Sequence, residues 1–131
     1  KNDSANGLAK FYWKSGKLKV EVNMVNGQEH GSYRSYYENG QVEYETNRKN
    51  NLVHGHQKHY YENGQLWVEN NWVNSQLHGE SKVWWSNGKP KSFGYFKNNK
   101  HHGFFREWNE NGELTSEESY VDGNVINPQV A

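Results

Sequence analysis

One seven-residue phrase returns along this chain at a fixed interval. It reads YWKSGKL at Tyr12–Leu18, YYENGQV at Tyr36–Val42, YYENGQL at Tyr60–Leu66, WWSNGKP at Trp84–Pro90 and WNENGEL at Trp108–Leu114. The glycines Gly16, Gly40, Gly64, Gly88 and Gly112 step by 24 residues without insertion or deletion. A second column, Gly7, Gly31, Gly55, Gly79 and Gly103, keeps the same step. Five units follow, 7–30, 31–54, 55–78, 79–102 and 103–126, with an N-terminal tether at 1–6 and a C-terminal tail at 127–131. A repeat this short cannot bury its apolar face alone, so each unit must be covered by its neighbours.

The repeat also explains an awkward composition. Hydrophobic residues are 32% of the 131 and mean hydropathy is −1.24, values that drift toward disorder, yet 20 residues are aromatic. Aromatic columns therefore replace an aliphatic core. Fifteen bases balance fifteen acids, which argues against binding driven by phosphate neutralisation and hence against nucleic acid. The absence of cysteine excludes disulfides, thiol catalysis and cysteine-ligated zinc. No apolar run approaches the roughly 18 residues of a membrane helix.

Asn-Gly between strand-forming residues is a strong hairpin signal, read here as a type I′ turn with positive φ at both residues. Asn39-Gly40, Asn63-Gly64, Asn87-Gly88 and Asn111-Gly112 carry it, with Ser15-Gly16 in the first unit. Pairing about these turns places Lys10 opposite Glu21, Arg34 opposite Glu45, Lys58 opposite Glu69 and Arg106 opposite Glu117. Each base–acid pair is worth a few tenths of a kcal/mol to about 1. Unit four departs, with Lys82 facing Phe93 and with Pro90 and Gly94 in its second strand; pairing Pro90 with Trp85 predicts a bent or loosened junction between units four and five. The other connection, as in Asn26-Gly27-Gln28-Glu29-His30-Gly31, reads as the longer one. The fold predicted is all-β: an elongated antiparallel β-meander of five stacked hairpins in a single-layer twisted sheet. Its ten strands, at roughly 4.8 Å each, make a rod about 45–50 Å long.

Tyr12, Tyr36, Tyr60, Trp84 and Trp108 form an invariantly aromatic column, read together with the two glycine columns as structural. Trp13, Tyr37, Tyr61 and Trp85 point to the opposite face, lapse at Asn109, and are assigned Leu18, Val42, Leu66 and Pro90 as cross-strand partners. Two readings stand for this second column: packing on an inner face, or an exposed strip that anchors a partner. Trp67 and Trp72 occur in one unit only, which suits specificity. His30, His54, His78 and His102 precede the second glycine and read as turn residues, because imidazoles roughly 10 Å apart cannot share an ion with bonds of about 2 Å. The clusters His54/His56/His59 and His101/His102 offer at most adventitious binding, so no metal or cofactor is expected. GxSxG, HExxH, P-loop and GxGxxG motifs are absent from the sequence. Catalysis is not expected.

The pattern [YW]-x-x-N-G-x-[LV], followed about 15 residues later by His-Gly, resembles the MORN repeat, and more closely the bacterial variant with YYENGQL-type hairpins at this spacing. The resemblance spans 7–126 and departs at Ile126-Asn127, where His-Gly is replaced, and at the irregular fourth unit. It implies a β-hairpin module that binds partners without catalysis and carries no catalytic residues to transfer. Many bacterial members are YwqK-like antitoxins or immunity-type proteins encoded beside toxins. The expected partner is therefore a protein, a cognate toxin or effector, with open sheet edges that accept another strand or a second copy. Cell-wall or carbohydrate binding through spaced aromatic rings is the alternative, and phospholipid contact is disfavoured by the pairing of bases with acids. The polar KNDSANG ahead of the first unit resembles the tether after a removed signal or lipid-bearing residue, which favours an exported, periplasmic or lipid-tethered protein.

Overall fold

A computed structural model of the chain describes residues 5–126. The strands run β1 (Gly7–Tyr12), β2 (Leu18–Val25), β3 (Gln28–Tyr36), β4 (Val42–Lys49), β5 (Leu52–Tyr60), β6 (Leu66–Val73), β7 (Gln76–Leu77), β8 (Gly79–Trp84), β9 (Pro90–Lys97), β10 (Lys100–Trp108), β11 (Leu114–Val121) and β12 (Asn124–Ile126). They form one open antiparallel sheet in chain order, with β7 a short segment set against β6 beside the main path. The ten strands expected become twelve, because β7 is split from β8 and β12 adds a further hairpin. All four predicted base–acid pairs stand opposite each other.

The two kinds of connection are exchanged relative to the expectation. At the Asn-Gly sites only glycine has positive φ, for example Gly40 at +91°. Gly40 N donates to Tyr37 O at 2.9 Å and Tyr37 N to Gln41 O at 2.8 Å, a type I turn closed by a left-handed glycine rather than type I′. This extra residue bulges the second strand and moves the pairing by one. Leu18, Val42, Leu66 and Pro90 therefore face Tyr12, Tyr36, Tyr60 and Trp84, not the second aromatic column. Type I′ geometry sits instead in the connection read as longer. Asn26/Gly27, Asn50/Asn51, Asn74/Ser75, Asn98/Asn99 and Asp122/Gly123 all have positive φ at both positions. Three of the His-Gly sites lie inside strands, and His78 falls in the one-residue gap between β7 and β8; none is in a turn. At β2–β3 the register jumps from Val22↔Tyr33 to Met24↔Glu29, and Gly31, at φ +98°, makes the bulge. Asn23 Nδ2 donates 2.7 Å to His30 O across it.

The loosened junction expected between units four and five does not form. Between units four and five, β9–β10 keeps the same five pairs as β2–β3, including Gly94↔Phe105. Pro90 opens β9 opposite Trp84, ahead of the inter-unit ladder, where its missing N–H is harmless. Between units three and four the ladder is one pair shorter: β6 keeps Val68↔Val83 and Glu69↔Lys82 with β8 and Trp72↔Leu77 and Val73↔Gln76 with β7, and lacks only the pairing of Asn70 with Ser81.

Asparagine explains the lateral cohesion. Asn39, Asn63 and Asn87 each accept from a loop N–H two residues on at 2.9 Å. Each also donates to a carbonyl 23 residues on, in the next loop, at 3.0–3.1 Å. At the opposite rim, Asn51 N donates to Glu29 O at 2.9 Å and Glu29 N donates back to Asn51 Oδ1 at 2.8 Å; Asn99 and Leu77 repeat the exchange. Both rims of the sheet are thus ladders of turns that hold the units in phase.

Candidate binding surface

Strand alternation divides the sheet into a covered face and a ladder face. Val22, Ser35 and Thr46, between 2% and 8% exposed, lie on the covered face. Long side chains lean over it: Arg48 lies 4.6 Å from the Tyr33 ring, and Tyr44 contacts both Tyr33 and His59. Burial pushes His59 below the usual histidine range. Where units four and five meet, His101 sits among Phe96, Phe105 and Tyr120 at centroid distances of 4.5–4.7 Å, with its Nδ1 buried and lacking a hydrogen-bond partner.

The second aromatic column lies on this covered face and is half-buried. Tyr37 and Tyr61 donate their hydroxyls to Tyr60 O and Trp84 O at 2.5 and 2.6 Å, and Trp13 and Trp85 donate Nε1 to Tyr36 O and Trp108 O at 3.3 Å. Every polar tip in the column is thus spent on the backbone of the next unit. Lys19 and Lys91 cover Trp13 and Trp85 at 4.6 Å, and Trp67 stacks on Tyr61 at 4.9 Å. Trp67 keeps 39% exposure. Trp72 is half-buried and donates Nε1 to Gln57 Oε1 at 2.7 Å.

The ladder face carries charge. Inter-unit register joins the predicted pairs into one row, Lys10–Glu21–Arg34–Glu45–Lys58–Glu69–Lys82–Phe93–Arg106–Glu117. Sequence reading found the hairpin pairs but not this continuity, which needs the register between units. Ion pairs close at 3.9 Å for Lys10–Glu21, 3.0 Å for Arg34–Glu45 and 3.8 Å for Lys58–Glu69, and Arg106 bonds Glu117. The first aromatic column leans on the row: Tyr36 donates to Glu21 at 3.2 Å and Tyr60 to Glu45 at 2.6 Å. Burial first, and then the Glu45 bond, push the Tyr60 hydroxyl up to about 12.

Phe93 alone breaks the alternation. Its ring meets Trp84 and Trp108 edge-on at 5.6 and 5.2 Å. Lys82 lies 5.5 Å from the Phe93 ring and 3.3 Å from Glu80, and Arg106 lies 5.0 Å from the Phe104 ring. Tyr95 and Phe104 stand 47% and 53% exposed beside them. The resulting open groove of about 260 Å³ is lined by Glu80, Lys82, Phe93, Gly94, Tyr95, Phe104 and Arg106. Across units two and three the same face has a larger polar groove, about 350 Å³, with Ser32, Arg34, Glu45, Asn47, His56, Lys58 and Glu69 on its walls. Exposed rings with adjacent charges are the composition of binding hot spots. Tyr95 and Phe104 were missed in the sequence because neither belongs to a repeated column.

Among the described residues no three His, Asp or Glu side chains converge on a metal position, and no helix is long and apolar enough to cross a membrane. No curated protein matches the sequence. The profile of the MORN repeat variant matches five times, at 5–26, 29–50, 53–74, 77–98 and 102–122, each match one hairpin with its Asn-Gly or Ser-Gly loop. Repeats of this kind serve as binding modules, and the chain belongs to the MORN repeat variant family.

Proposed function

We propose that the protein is a non-catalytic scaffold that binds another protein on its ladder face, at units four and five. The observation that carries this reading is the break at Phe93, where aromatic surface replaces a paired charge. Exposed Tyr95 and Phe104 supply apolar anchors, and Arg106 and Glu80 border them. Within that class we propose an antitoxin or immunity role, with a toxin or effector as partner; the resemblance of the repeats to bacterial members of that kind supports it. Trp67, exposed on the covered face, is a second contact candidate. Carbohydrate stacking is less favoured, because the evenly spaced second column is half-buried and tied to the backbone of the following unit.

The test is capture of the product of the adjacent gene by the full chain, with Phe104→Ala and Tyr95→Ala as variants and circular dichroism as the folding control. Binding and protection from toxicity are expected for the parent chain. Each variant should weaken binding by roughly tenfold or more, the loss of a contact worth about 1.4 kcal/mol or greater. Binding unchanged in both variants would move the site elsewhere, and absence of any complex would end the antitoxin reading.

A further inference from the structure

In the charge row of the ladder face, every acid but one is in place. Arg34 stands between Glu21 and Glu45 in register, and Lys58 between Glu45 and Glu69. By the same register Lys82 stands between Glu69 and Phe93, and Arg106 between Phe93 and Glu117. Phe93 is the 24-residue counterpart of Glu69 and Glu45, an apolar side chain where two bases face an acid. Its companion is exchanged as well. Tyr60 donates to Glu45 at 2.6 Å, whereas the counterpart of Tyr60 beside Phe93 is Trp108, whose ring meets Phe93 edge-on at 5.2 Å.

The two bases beside the break behave differently. Lys82 turns to Glu80 at 3.3 Å, with Nζ 5.5 Å from the Phe93 ring. Arg106 contacts one acid among the described residues, Glu117, and bonds it through Nε. Its guanidinium lies over the Phe104 ring, 5.0 Å from the centroid. A guanidinium stacked on a ring keeps its N–H donors in its own plane, directed past the ring edge. Bonding through Nε leaves the two terminal nitrogens for another acceptor. The groove of about 260 Å³ that Arg106 borders holds two bases, Lys82 and Arg106, against one acid, Glu80, and Lys82 already holds that acid. Tyr95 and Phe104 are its exposed rings.

We propose that the partner enters this groove with an acidic residue flanked by apolar ones, its carboxylate held by Arg106 above Phe93, where the row lacks its own acid. This rests on the reading that units four and five bind a protein. The carboxylate takes the terminal guanidinium nitrogens, with Lys82 across the gap. β8 and β10 lie two strand spacings apart, roughly 9–10 Å, the gap that Glu45 fills between Arg34 and Lys58. The apolar neighbours cover Tyr95 and Phe104 and exclude water from the ion pair, which strengthens it. A lysine in the same place would meet two bases.

The probe is acetyl-Leu-Glu-Leu-amide, with analogues carrying Gln or Lys at the centre, titrated into the isotope-labelled full chain up to tens of millimolar. The Glu peptide should shift the amide resonances of Phe93–Tyr95 and Phe104–Arg106. It should bind about tenfold more tightly than the Gln peptide, with the Lys peptide weakest. Added salt should narrow the preference. Arg106→Gln should abolish it, leaving the Glu and Gln peptides equal. Arg106→Lys should keep part of it, as a point charge without the fork of donors. Circular dichroism of each variant confirms that the sheet persists. Equal shifts from all three peptides at these residues would overturn the acid requirement and leave the protein-binding site where it is. A preference for Glu that survives Arg106→Gln would overturn the role of Arg106. Shifts from none of the peptides would overturn the proposal as well, and capture of the adjacent gene product then decides the binding site by itself.

Discussion

Units two and three and units four and five share one backbone pattern but differ on the ladder face. In the first region the row is unbroken: Arg34, Glu45, Lys58 and Glu69 alternate, and Tyr36 and Tyr60 cap the acids. In the second, Phe93 takes the place of an acid and binds its neighbours through ring edges. Alternating charges satisfy one another and leave little for a partner, whereas rings cover only part of their own surface. The covered face shows the same contrast in volume. Thr46 fills its position beneath Gln57 in unit two, while Gly94 leaves that space to the Phe105 ring. One repeat therefore supports a self-satisfied half and a surface-active half. The difference lies in a few side chains, not in the chain path.

The largest expected effect breaks the second region at its tightest point. A Cβ at Gly94 would lie 2.5 Å from Phe105 Cδ1 and 3.3 Å from Phe104 O, so Gly94→Val should cost about 2–3 kcal/mol. Thr46→Val, at the equivalent place in unit two, loses the 2.8 Å bond to His56 O and a long 3.4 Å contact to Asn47 O and should cost about 1 kcal/mol. Urea midpoints with an unchanged slope measure both; equal costs would erase the contrast.

Phe93→Glu converts the second region to the first. It exchanges two edge-on ring contacts for cross-strand pairs with Lys82 and Arg106, a net loss of about 1–2 kcal/mol. It should also abolish capture of the partner. A variant that binds as well as the parent chain would detach binding from the break in the row.

Tyr60→Phe tests the capped acids and should cost about 1 kcal/mol near neutrality. The Tyr60 hydroxyl holds its proton more tightly when folded, up to about 12 against 10.0. Its contribution is therefore whole below pH 10 and drains as pH rises toward 12. The stability gap between parent and variant should close across that window; a gap constant with pH would mean that ionisation plays no part.

The smallest effect concerns the rim. Asn63→Ser removes the donation to Ser86 O and should cost about 0.5–1 kcal/mol. Ser15→Asn in unit one, which lacks this donor, should gain a similar amount if the lateral bond is what asparagine supplies. Hydrogen exchange at the loop amides would show which bond is gained or lost.

Much of what depends on one hairpin was legible in the residues alone: the 24-residue period, the strand pairs Lys10–Glu21, Arg34–Glu45, Lys58–Glu69 and Arg106–Glu117, and the division of aromatic columns between faces, though not the turn type or the pairs beside it. Adjacent strands joined by a short loop have little freedom of register, so spacing suffices. Whatever depends on the neighbouring unit came only with the folded sheet. Asparagine before glycine signals either turn type; all five loops take the type I form, and in three of them the asparagine side chain also bonds the next loop. The one missing ladder pair, Asn70 with Ser81, lies between units three and four, whereas the junction after Pro90 is fully paired. The single charge row, and the exposed rings beside its break, exist only once hairpins stand in register. That register is set by the turns at both rims and by packing on the covered face, both of them contacts between residues more than 20 positions apart.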